Sequence, residues 1–145
     1  MTYRLDSLIR VLRPEFPSYV SIGAVTSRLV FTVEGNLTVA VGKLHIPNKT
    51  GVSLIITKVA LQCDTAPTGD AVIVDIHKDT AGVGSTTIFT NQAHRPQIAA
   101  GSLVGETILI DVPTWATGDS LSMDVDNIGS IIPGSDLAVV IVFHT

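Results

Sequence analysis

Residues 64–79, "DTAPTGDAVIVDIHKD", join a proline-glycine turn, an apolar run and an Asp-x-His pair. Two readings compete for this stretch: a metal-bearing active site, or the turn and strand of a β-sandwich that has only to fold and assemble. Pro67 presets φ, Gly69 permits reversal, and the flanking aspartates bond to local backbone, so 64–70 reads as a turn. In 71–76, "AVIVDI", alternation places Val72, Val74 and Ile76 on one face. Asp75 and His77, two residues apart, share the other. The simplest reading makes that second face the outward one.

The neighbouring sequence has the same character. "RLVFTV" (28–33) alternates, with Leu29, Phe31 and Val33 on one side, and "EGN" (34–36) predicts a tight hairpin turn. "LTVAVGKLHI" (37–46) switches parity at Gly42, the mark of a β-bulge. After "PNKTG", a long strand is predicted over 52–62, then strands over 71–76, 86–89, 107–112, 120–125 and 136–143, with a brief one near Ile98. Residues 120–125 are the cleanest two-faced case, Leu121, Met123 and Val125 alternating with Ser120, Ser122 and Asp124. "LAVVIVF" (137–143) has no polar face, which suits a central strand or one beneath a neighbouring subunit. About eight short strands, regular turns and almost no helical periodicity predict an all-β, jelly-roll-like antiparallel sandwich at 19–145.

The chemical motifs weigh little against this. Cupin-like metal sites use His-x-His or His-x-Asp/Glu with a distant His, whereas this pair runs Asp-x-His, and His45, His94 and His144 have no supporting spacing. "DVDNIG" (124–129) is a broken calcium loop: Ile128 replaces a ligand and the closing Glu is absent. Asp124 and Asp126 are expected to be solvated strand carboxylates, with an ion shared between subunits as the sharper option. "AGVGSTT" (81–87) lacks the lysine and helix of a phosphate loop. Neither a nucleophile elbow nor a triad spacing occurs. The expectation is no catalytic residue, no metal and no cofactor.

Composition points to assembly. Charged residues make up 15% of the 145 and the hydrophobic share is 46%, with a mean hydropathy of +0.45. Soluble domains average about 25% charged, so the apolar excess reads as surface buried against other subunits. The net charge of −4 and nine scattered basic residues give no footprint for nucleic acid. The lone Cys63 fits a reducing compartment and reads as a small buried hydrophobe. Arg4, Asp6, Arg10 and Arg13 interrupt the N-terminal apolar positions, so a secretory signal is not expected. Nor does any run approach the roughly 20 apolar residues needed to cross a membrane.

Residues 1–18 form a separate unit, a short helical or extended arm. Leu5, Leu8, Ile9 and Leu12 recur at helical spacing and Pro14 ends the segment. One amphipathic turn is unstable alone, so it docks on its own sandwich or on a partner.

"TAPTGDAVIVDIHKD", "TIFTNQAHRPQIAAG" and "TGDSLSMDVDNIGSIIPGSDLAVVIVF" follow one another in order, and over about residues 59–143 they resemble a β-sandwich module of tailed-bacteriophage structural proteins. The resemblance implies a virion protein, on the capsid surface or in a tail or fibre, made in the host cytoplasm. With no long shaft in the chain, it further implies a cement or decoration protein: a homo-oligomer, typically a trimer, bracing the major capsid protein. The expected contacts are Leu5, Leu8, Ile9, Arg10 and Leu12 in the arm, the turns at Pro67 and Trp115, and Leu137, Val139 and Ile141 in the last strand. The alternative is a receptor- or carbohydrate-binding head, which needs exposed aromatics in a groove.

Overall fold

The computed structural model describes residues 26–81 and 83–145. Among the described residues, ten antiparallel strands divide between two sheets. They are β1 (Ser27–Asn36), β2 (Ala40–Pro47), β3 (Leu54–Gln62), β4 (Val72–Thr80), β5 (Gly84–Thr87), β6 (Gln97–Ile98), β7 (Val104–Thr107), β8 (Thr114–Trp115), β9 (Ser120–Asn127) and β10 (Ser135–His144). One sheet runs β1-β10-β3-β7, with β8 also on β3; the other runs β2-β9-β4-β5, with β6 also on β4. The first strand therefore pairs with the last and the second with the ninth. Further in, β3 pairs with β7 and β8, and β4 with β5 and β6. A long antiparallel ribbon rolled upon itself gives this order, which is a jelly roll. Seven of the expected strands lie on the two four-strand paths, and the eighth place, on β3, is taken by β7.

Alternation builds the core. Phe31 on β1, Val59 and Leu61 on β3, Val72, Val74 and Ile76 on β4, Leu121, Met123 and Val125 on β9, and Leu137, Val139 and Ile141 on β10 all point between the sheets. Trp115 closes one end. Its indole N–H donates to the Asp119 carbonyl at 2.9 Å, and its ring meets Phe143 edge-on at 5.5 Å. Buried Asn48 donates to the carbonyls of Val52 and Trp115, both at 2.8 Å, which fixes the β2–β3 turn. Cys63 is buried; burial, then the Asp64 charge, push its thiol up, so it is inert packing.

Two local expectations fail. "EGN" makes no hairpin: β1 and β2 belong to different sheets, and Gly35 sits within β1 at φ 76°, where the register to β10 slips. Its N–H donates to the Asp136 carboxylate at 2.8 Å. Nor does 107–112 form a strand. The strand is β7, ending at Thr107, and the chain then leaves the sheet. Val112 N–H reaches the Ile88 carbonyl at 3.0 Å and Pro113 accepts from Ile56 at 2.8 Å. Ile110 and Val112 still pack on the core, so the apolar pattern was real while the ladder was absent. The bulge at Gly42 is present, with φ 64° and register slips on either side of Lys43.

Candidate functional site

The expected contact residues divide three ways. Leu5, Leu8, Ile9, Arg10 and Leu12, with the proposed 18/19 boundary, lie outside the described residues. Pro67 and Trp115 are buried within their own chain. The Pro67 turn is held by the 129–135 loop, the Thr68 N–H donating to the Ile132 carbonyl at 2.9 Å and the Thr68 carbonyl accepting from the Ile131 N–H at 3.0 Å. Leu137, Val139 and Ile141 face the core. A strand turns alternate residues to opposite faces, so the outward set on β10 is Ala138, Val140 and Val142.

That outward set belongs to a shallow face. A depression there is lined by Ala60, Leu61, Gln62, Val104, Gly105, Glu106, Ala138 and Val140. On the opposite flank, an open groove of about 350 Å³ separates the edges of β1 and β2, lined in part by Val33, Ala40, Leu44 and Val125. Every described aromatic ring is drawn inward: Phe31, Phe89 and Trp115 are buried and Phe143 is half-buried. A sugar-stacking platform would have to come from Tyr3, Phe16 or Tyr19, outside the described residues.

The Asp-x-His pair is not the solvated face that alternation suggests. Asp75 is 4% exposed and Asp124 is 6% exposed, and the register sets them directly opposite each other on β4 and β9. Two carboxylates so placed repel. His77 lies between them, its Nε2 at 3.2 Å from Asp124 and 3.6 Å from Asp75. Thr87 Oγ1 donates to Asp75 at 2.5 Å, and the Gly42 N–H at the β2 bulge donates to Asp124 at 2.5 Å. Burial, reinforced by the Asp126 charge, pushes Asp75 up; Thr87, His77 and Arg95 oppose it.

Around this centre the same face continues as ion pairs. Asp126 pairs with Arg95 and Asp79 with His45 at 2.8 Å. Burial works to raise Asp79, but hydrogen bonds from Ser85, His45 and Ser122 outweigh it and hold the carboxyl low. At the end of the sandwich, Asp111 accepts from the Asn91 N–H and from His94. That backbone bond is the main reason its carboxyl lies low, with His94 adding to it. Among the described residues, no three His, Cys, Asp or Glu side chains are arranged to hold a metal. The carboxylates of 75 and 124 are buried rather than solvated as expected. No buried side-chain polar atom there lacks a partner.

No family model matches this chain, and no curated protein matches it. Among solved structures it is similar to a chain of the "Cyanophage Pam1 capsid asymmetric unit". The identity is 16%, over 83% of this chain and 84% of that one, with a TM-score of 0.38. A likeness at that TM-score carries no argument about function. Among the described residues no helix is long and apolar enough to cross a membrane.

Proposed function

We propose that this chain is a structural protein of a tailed-phage virion, a cement protein that binds the outside of the head as a homo-oligomer, a trimer, and braces the major capsid protein. The observation that carries the reading is how much large apolar surface is exposed. The core is closed and its buried polar side chains are partnered, yet twelve large aliphatic side chains among the described residues stand in solvent. A domain with 15% charged residues keeps such surface only if something covers it. The ordered motifs over 59–143 direct the choice of partner to a phage shell.

Stabilisation by such a protein is mass action. A ligand that binds only the assembled lattice favours it by RT ln(1+[L]/Kd) per site, so many copies of modest affinity add up. No reaction is assigned. The Asp75–His77–Asp124 cluster holds two strands together.

Co-sedimentation with empty heads of the encoding phage tests this. Full-length protein is expected to pellet with the heads. A variant truncated through Arg13 is expected to stay in the supernatant while melting normally. Binding that survives truncation removes the arm from the account, and full-length protein that ignores heads overturns the proposal.

A further inference from the structure

Each of the two sheets has two edges, and three of the four edges are poor templates for a further strand. On one side they are made of β7 with β8 and of β5 with β6, none longer than four residues. On the other side β2 is longer, but Gly42 at φ 64° and Leu44 at φ 56°, with Lys43 between them, break its register to β9. Short strands and bulges are the usual ways of blunting an edge. β1 has neither. It runs with β10 for seven residues, Ser27 to Val33, before any irregularity, and it holds no proline. Among the described residues no strand lies on its other side, so that row of backbone N–H and C=O groups can receive one.

The residues of β1 say which strand fits. Alternation turns Arg28, Val30, Thr32 and Glu34 outward, all exposed, and Leu29, Phe31 and Val33 toward the core. Two copies of β1 laid antiparallel must keep outward positions opposite outward ones, or Arg28 would be driven against a core residue. With Phe31 opposite Phe31, Arg28 of each copy meets Glu34 of the other, Val30 meets Thr32, and Leu29 meets Val33. Opposite charges and β-branched pairs directly across from each other are the favourable cross-strand pairs. A shift of two residues either way loses both charge pairs, setting Arg28 against Thr32 or Asn36. Asp136, which accepts from the Gly35 N–H at 2.8 Å, adds a second carboxylate at the Glu34 end. Leu29 and Val33, only half-buried at the margin of one core, are covered by the pairing.

We infer that β1 is an interaction surface for β1 of a second copy, in an antiparallel pairing centred on Phe31 that joins two sheets into one across a two-fold axis. Such a contact is isologous, the same patch serving both copies. It goes beyond the cement reading, which sets three copies about one axis without saying how neighbouring trimers meet. Charge selects it. Residues 26–145 hold six Lys and Arg against eleven Asp and Glu, a net of −5, so copies repel except where opposite charges are brought together. One strand a side is a small contact, well under the ~800 Å² per partner of a standard interface. It therefore forms where copies are crowded and leaves the trimer to persist on dilution.

The test exchanges charges in the full-length protein: Arg28→Glu, Glu34→Arg, and the two together. Average mass is followed against concentration by light scattering at low salt, where exposed charge pairs are least screened. Each single change sets two like-charged pairs across the contact and is expected to weaken pairing on the order of tenfold or more. Those variants should remain trimers at concentrations where wild type forms larger species. Equal amounts of the two single variants are expected to pair again, and so is the double variant, because both restore opposite charges between 28 and 34. Wild-type mass that never exceeds the trimer, the result expected if another segment lies along β1, overturns the inference. So do single variants that pair as wild type does, or a loss that either rescue fails to repair. A base unit of one chain in place of three, with the same losses and rescues, would count against the trimer alone.

Discussion

Asp75 and Asp124 face each other on neighbouring strands with little water around them, and His77 makes that arrangement tolerable. Truncating His77→Ala exposes each carboxylate to the other and is expected to cost about 2 kcal/mol in urea unfolding, a partly buried pair lying below the full cost of breaking a buried one. In an Asp75→Asn background the same truncation should cost less than half as much, since one of the repelling charges is gone. Equal losses in both backgrounds would mean that His77 acts by packing alone. The pH dependence follows from the same geometry. Asp75 titrates above its ordinary 3.8 in the folded chain, so its contribution is complete below that pH and is lost as pH rises through the raised value. Asp79 and Asp111 lie below 3.8; theirs are present above it and lost as pH falls. Asp75→Asn should therefore gain on wild type as pH rises from 4 to 7, read as a widening difference in urea midpoints. Parallel curves would contradict the burial of an ionisable group at 75.

At the scale of elements, β1, β4 and β9 were legible from period-two alternation, and β3 and β10 from apolar runs bounded by turns; all stand within a few residues of where the sequence puts them. What alternation cannot supply is the partner strand. Asp-x-His on β4 and Ser-x-Asp on β9 each read as a wet face until the register brings Asp75 opposite Asp124 and β2 covers one side of the pair. For the same reason Leu137, Val139 and Ile141 looked equally able to face a neighbour, since "LAVVIVF" is apolar on both sides. "EGN" looked like a hairpin because its residues tolerate positive φ, yet a jelly roll sends β1 and β2 to different sheets. One packing detail checks the roll itself. A Cβ at Gly105 on β7 would lie 1.8 Å from the Gln97 carbonyl oxygen on β6, backbone against backbone. Gly105→Ala is expected to lose about 3 kcal/mol. Gly118→Ala, at φ 91° in open space, should lose about 1 kcal/mol. Thermal melts giving the reverse order would refute the β6–β7 contact.

For the whole molecule, the central claim is that the apolar flanks of this sandwich exist to be covered by other copies and by a larger lattice. Contacts of that kind are uncharged, so they should tolerate salt; a rise from 0.05 to 0.5 M shortens the screening length several-fold and should leave the assembly intact. The most direct measurement is the solution mass of the full-length protein by light scattering across a hundred-fold range of concentration. The account predicts a discrete multiple of 15.3 kDa that persists on dilution into the micromolar range. A mass of one chain at every concentration, with the protein remaining dispersed, would contradict it.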